Sequence, residues 1–527
     1  MLGKKDYQEK LFLSFSLSQR VPENNFYRRL KKVIDLQFVR DMSRPYYGSE
    51  GQKSIDPTVF FRLMLIGYLE NIISDRKLIE HVGMRMDLLY FIDYDIDDPL
   101  PWHSTISRTR KLLPNAIFEE AFERVLGMCV ENGLVAGHTQ AIDSAYIKAN
   151  ASLDSLEMKK PAQSLEQHIQ DVAQENDQDD TPQRKAQIDH SSEELRTLQM
   201  SDTELKKLKT HQQWFKGQED APLGSDNPQS RYLSNKTHYS PVDPDARVAV
   251  KPGKPRQLYY LSSMSVDTDH HVITHIRAIH ADRRDSLNLI DLVRQTRLRL
   301  QNQDLQLENV LADTGFSNGE NYKYLEETKI NGYIPVFGQY EGVREGFTYE
   351  PEEDRWRCSQ GKYATFRKIK YKEYHPDKLY FTTRKDCKAC PLASACIGKS
   401  HEKRISMTIY KDYYDRALER AKSKKGKHYK TVRQSTVEPV FGTLINFTGM
   451  RKINTRGIES ANKVMVMAAI AYNLKKLLRY QGKARFHTIK PCLFDKLSAF
   501  ASVFLTQIYL KIRWLFKINL KPQQIFI

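Results

Sequence analysis

Cysteine is scarce, with six in 527 residues. That is too few for a disulfide-stapled secreted scaffold. Long apolar runs are missing as well. The longest uncharged one, Leu497 to Leu510, has 14 residues, short of the roughly 20 that cross a bilayer. The opening MLGKKDYQEKLFLSFSLSQ holds no apolar stretch leading to a small-residue cleavage site, so no signal peptide is expected. No internal repeat is visible. These exclusions leave a soluble, cytoplasmic protein with no membrane partner. Apolar residues make up 40% and charged residues 28%, enough apolar content for a packed core. At roughly 150 residues per domain, the length suggests about three or four domains, or one with large insertions.

Acidic residues are the minority charge, 65 against 82 Lys and Arg, for a net +17. The surplus is local. Residues 151–200 carry 11 acidic and 5 basic side chains, whereas residues 401–490 carry 21 Lys/Arg against 6 Asp/Glu. Basic residues this clustered form the electrostatic footprint of a phosphate-backbone partner. A solvated surface face is the plainer alternative.

Residues 1–56 read as a mixed segment ending in the turn-rich RPYYGSEGQKSIDP. Residues 57–132 read as short helices. Pro57 opens the first, Ser74 or Asp75 caps the second, and Ser104 or Thr105 caps a basic one with Arg108, Arg110 and Lys111. This suits a helix-turn-helix DNA-binding module, or an ordinary helical bundle. Residues 133–150 and 236–339 alternate strand and helix patterns around Asp143 and Asp313. They predict an α/β domain, a mixed sheet with flanking helices. Residues 151–235 form a polar insertion. Residues 340–430 form a Cys-rich, loop-rich insertion without an evident core. Residues 431–485 hold Glu438 and a final helix. Residues 486–527 form an amphipathic tail.

Asp143 falls within a β-prone stretch, and Asp313 ends another at Thr314-Gly315. Carboxylates at strand ends point where sites of α/β proteins gather. Oxygen ligands of this kind suit Mg²⁺, and paired ions cleave phosphodiesters. Glu438, in RQSTVEPVFGTLINFTG just after the run KSKKGKHYK, is the candidate third carboxylate. Strand-end Asp residues more often merely terminate strands, so spacing alone leaves this open.

AIDSAYIKAN, VLADTGFSN and TVEPVFGTLINFTGMRK resemble the three acidic motifs of bacterial insertion-sequence transposases of the DDE type. IDPTVFFRLMLIGYL and LPWHSTISRTRK resemble the helical domain of one such group, which also carries a Cys-rich insertion. The likeness covers roughly residues 40–480. It implies a ribonuclease H-like catalytic fold and Asp143, Asp313 and Glu438 as ligands of two Mg²⁺ (or Mn²⁺) ions. It also implies double-stranded DNA partners, namely the element's terminal inverted repeats and a target. Two element ends imply a homodimer on DNA. One departure stands out. Related elements show Tyr, two residues, Arg, three residues, Glu, six residues, Lys. Here Gln434 and Ile445 occupy the Arg and Lys positions, while Tyr429, Arg433 and Lys452 lie nearby at shifted spacing. Arg433 and Lys452 are therefore candidate phosphate contacts rather than motif matches. Two other readings stay open: a DNA-binding protein with an inactive or repurposed catalytic domain, and a metal-dependent DNA nuclease that cuts without joining.

Cys358, Cys387, Cys390 and Cys396 form C-x28-C-x2-C-x5-C. In a reducing compartment such spacing suits one structural, tetrahedral Zn²⁺, with His401 able to replace a thiolate. Plain reduced thiols are the alternative. Leu497 to Phe516 reads as an amphipathic helix that packs or pairs with another subunit.

Overall fold

The computed structural model describes residues 15–48, 50, 54–161, 199–216, 234–250, 256–337, 344–371 and 376–481. Two compact units divide the chain, Met1–Asn473 and Leu474–Ile527. Everything below concerns the first. The amphipathic tail reading (Leu497 to Phe516) and most of the polar insertion fall outside the described residues. Among the described residues, no helix is long and apolar enough to cross a membrane.

The N-terminal helices begin earlier than the sequence pattern suggested. Phe26–Val33 and Gln37–Ser43 are helices, the first capped by Asn25, whose side chain accepts from the amides of Tyr27 and Arg28. Their buried Tyr27, Leu30, Phe38 and Val39 pack with the helices that follow. The basic RRLKK run hides this apolar stripe in the sequence. Pro57–Leu69 then starts as expected at Pro57, with Asp56 as its cap, and is buried almost throughout. Asp75–Gly83 is capped by Ser74, and Met86–Ile92 follows. The basic helix is His103–Leu112 with Trp102 at its cap position. The expected caps Ser104 and Thr105 lie inside its first turn. Asn115–Glu131 leads into the sheet.

That sheet has six strands: β1 (Thr139–Lys148), β2 (Arg247–Ala249), β3 (Gln257–Asp267), β4 (Ile273–His280), β5 (Asn309–Leu311) and β6 (Asn331–Tyr333). The order is β6-β5-β1-β3-β4, with short β2 beside the start of β3. β1 is antiparallel to β3 and parallel to β5, and β5 is parallel to β6. The β3–β4 pair is the hairpin expected at Asp267-Thr268-Asp269. Helices Leu289–Gln301 and Gly319–Glu327 complete the crossovers. Ile142, Leu292, Val293, Val310, Phe316 and Leu325 share one buried cluster there. The outer edge of β4 is closed by the helix 458–481. Asn462 Oδ1 accepts from the Ala278 amide at 3.0 Å. Asn473 exchanges two bonds with the Ile273 backbone, at 3.0 and 2.9 Å. Two asparagines about three helical turns apart thus satisfy an edge that would otherwise expose unpaired backbone.

The Cys-rich insertion is not loop-rich. It forms a five-stranded antiparallel sheet in chain order: β7 (Phe347–Glu350), β8 (Arg355–Cys358), β9 (Tyr363–Lys370), β10 (Asp377–Phe381) and β11 (Arg404–Thr408). Trp356, Ala364, Tyr380 and Ile405 give it a small core of its own. Frequent charges broke the period-2 pattern that would have announced these strands.

Helix Lys411–Lys422 turns at Ser423 into Lys424–Phe447. The turn is tight. A Cβ at Gly426 would stand 2.2 Å from the Arg420 carbonyl oxygen, so only glycine fits. The basic run lies inside this second helix, which therefore begins at 424 rather than 431.

Candidate functional site

β1 and β5 run parallel, in register from Thr139 opposite Asn309 to Ala141 opposite Leu311. Asp143 and Asp313 each follow two residues beyond the last such pair, so the two acids leave the same end of adjacent strands. Asp313 is also the cap of the turn Thr314–Phe316, its Oδ1 accepting from the Gly315 amide at 2.9 Å. Asp143 Oδ1 accepts from the Ser144 amide at 2.8 Å.

The helix Lys424–Phe447 packs against β1, β3, β5 and β6, with Thr436, Val437, Val440 and Leu444 buried beneath it. One turn before that apolar face, Arg433 reaches back to the sheet and donates from Nη1 to Asp143 Oδ2 at 3.1 Å. Burial raises the Asp143 pKa from its ordinary value of 3.8 to about 6. The Ser144 amide and Arg433 oppose that rise, and the negative charges of Asp313 and Asp285 add to it.

Asp285 was not singled out in the sequence. It opens the turn Asp285–Leu287 after β4, where nothing but an acid five residues past a strand marks it. A Cβ at Gly315 would stand 3.0 Å from Asp313 Oδ1 and 3.4 Å from Asp285 Oδ2. Glycine there leaves room for both carboxylates.

Glu438 lies on the same helix as Arg433 but is exposed. Among the described residues it makes no hydrogen bond or ion pair. The fold thus brings Asp143, Asp313, Asp285 and Arg433 together and leaves Glu438 on the neighbouring open face. Among the described residues, no three His, Cys, Asp or Glu side chains are already grouped to hold a metal ion.

Two cavities flank the Asp313 turn. One, of about 350 Å³, is lined by Asp313, Tyr333, Lys422, Lys427, Tyr429, Lys430 and Arg433. The other, of about 650 Å³, is lined by Tyr146, Arg283, Arg284, Asp285, Thr314 and Gly315. Both combine carboxylates with cations. Tyr429 is held edge-on to Tyr333 at 4.7 Å between ring centroids.

The remaining basic candidates divide. Arg108 and Lys111 are exposed. Arg110, expected to face DNA, is instead buried and pairs with Asp75 at 2.7 Å. Helical periodicity turns it inward, two residues after Arg108. Lys452 is exposed beside the end of β1, its backbone bridged to Lys148.

Cys358, Cys387, Cys390 and Cys396 are free thiols lining one cavity of about 270 Å³. The Lys362 amide donates to Cys358 Sγ at 3.3 Å, and the Thr382 hydroxyl lies 2.9 Å from Cys387 Sγ.

Comparison with known families bears on both ends of the chain. A transposase domain (DUF772) matches residues 15–112. A transposase DDE domain matches residues 357–478. These matches support an insertion-sequence transposase of the DDE type. The second match contains Glu438, Arg433 and the four cysteines. Asp143 and Asp313 lie outside both. No curated protein matches the chain.

Proposed function

We propose that the chain binds the ends of its own mobile element and cleaves and joins DNA there, with Asp143, Asp313 and Glu438 as the acidic triad. The single observation that carries this reading is the placement of Asp143 and Asp313 at one end of adjacent parallel strands, with the helix that bears Glu438 tied to Asp143 through Arg433. The strand order and directions support a ribonuclease H-like catalytic sheet.

The donor set fits a hard divalent cation. It is all oxygen, and the clustered carboxylates hold Asp143 near pKa 6 until positive charge offsets them. Asp143 and Asp313 would hold Mg²⁺ or Mn²⁺, with Glu438 completing the site once its helix meets DNA. When bound, such ions lower the pKa of a water and stabilise a leaving oxygen. The protein's own part is positioning. Arg433 fixes the helix against β1. Lys427 and Lys430, lining the cavity beside Asp313, take phosphates of the bound strand. Water replaces one phosphate ester and leaves a 3′-hydroxyl at the element end. That hydroxyl then displaces a 3′-oxygen from a target phosphodiester, taking its place. Two ends must be handled together, so the active species is a homodimer on DNA. The four cysteines would hold one structural Zn²⁺, supported by their shared cavity and by the amide donated to Cys358.

The test is incubation of the protein and Mg²⁺ with a labelled duplex carrying the sequences that flank its gene, plus a target plasmid. Nicked ends and joined products are expected. Nicks without joining would favour a nuclease, and binding without nicks a DNA-binding protein with an inactive or repurposed catalytic domain.

A further inference from the structure

β9 is exposed along nearly its whole length. Only Ala364 is buried, and every residue from Thr365 to Tyr371 faces solvent. β8 pairs with β9 only at Tyr363, Ala364 and Thr365, and β10 takes the other edge as far as Lys370. From Phe366 onward, β9 is therefore a sheet edge whose outer side has no strand beside it. Arg367, Lys368 and Lys370 sit on this stretch, and no carboxylate among the described residues pairs with them. Interleaved with them are Phe366, 43% exposed, Ile369, 38%, and Tyr371, 81%.

Lysine on an edge strand commonly guards against edge-to-edge aggregation. That role does not account for three large apolar side chains left in water beside the cations, which work against such a guard. Cations that reach phosphates, alternating with apolar rings and chains that lie on sugars and bases, are what a DNA strand meets on its binding proteins. The nearby acids do not cancel this charge. Glu350 and Glu353 are engaged by Arg355, and Asp354 by Lys378, all on strands β7, β8 and β10 or the turn between β7 and β8.

We propose that the free edge of β9 is a second DNA-contacting surface, which lays Arg367, Lys368 and Lys370 on the phosphates of duplex DNA at the element end and Phe366 and Tyr371 against its sugars. This rests on the transposase reading. It assigns the five-stranded insertion to holding DNA, apart from the acidic site.

The experiment measures affinity of the full chain for a duplex of the flanking end across a series of salt concentrations. Each phosphate contact contributes about 0.9 to the slope of log affinity against log salt. R367A/K368A/K370A should flatten that slope by about 2–3. The charge-keeping R367K/K368R/K370R should retain it, which separates lost contacts from lost folding. F366A/Y371A should weaken binding with the slope unchanged. A wild-type slope in R367A/K368A/K370A overturns the proposal while leaving the transposase reading intact. A wild-type protein with no affinity for the duplex overturns both.

Discussion

Arg433 and Asp143, 290 positions apart in the chain, meet at 3.1 Å. Their side chains are only 11% and 21% exposed. The contact joins the helix bearing Glu438 to the central strand of the sheet, so it sets how the third acid approaches the first two. Replacing Arg433 with Ala removes the one cation that faces Asp143 and leaves a mostly buried carboxylate unpaired. The expected cost is about 1–3 kcal/mol of stability, read as a lower midpoint in urea. The Asp143 pKa should rise further above about 6. The Arg433→Lys variant should recover part of both.

The raised Asp143 pKa carries a signed pH dependence. Its folded value of about 6 lies above its ordinary 3.8, so between those values the folded chain binds more protons than the unfolded one. Metal-free stability from this group should therefore fall as pH rises from about 4 to about 6 and then level off. A displacement of that size is worth on the order of 3 kcal/mol. Asp143→Asn should flatten this segment of a pH–stability profile measured with chelator present. An unchanged profile would show that Asp143 is not the group responsible.

Arg110 and Arg108 should part company. Arg110 is buried against Asp75, and Lys463 donates to its carbonyl oxygen. Arg110→Ala should cost about 2–4 kcal/mol by leaving Asp75 without its partner. Arg108→Ala should leave stability within about 0.5 kcal/mol and reduce DNA affinity instead. Thermal unfolding and a binding titration on both variants decide between these roles.

The thiol cavity predicts a metal content. The purified chain should carry about one Zn²⁺. Cobalt in its place should give the visible bands of a tetrahedral thiolate site, and Cys390→Ser should lose both. Four reactive thiols with no zinc would show plain reduced cysteines.

Legibility from sequence followed how local the signal was. The strands at Asp143 and Asp313 were readable because each is a short apolar run closed by a polar stop. Pro57 and Ser74 were readable because capping is a local rule. The five strands of the insertion were not, because Arg and Lys alternate irregularly across β9 and β10. Arg110 was misplaced because one helix turn offers both an outward and an inward cation, and only packing chooses. Asp285 and the Arg433–Asp143 contact depend on segments that meet only in three dimensions. No spacing rule in one sequence announces them.

The most direct test of the central claim is Mg²⁺-dependent cleavage of the flanking-end duplex by wild type, Asp143→Asn, Asp313→Asn and Glu438→Gln, with DNA binding measured in parallel. Three carboxylates acting as one site predict that each substitution abolishes cleavage while binding persists. Full cleavage by Glu438→Gln, or by either Asp variant, would contradict it.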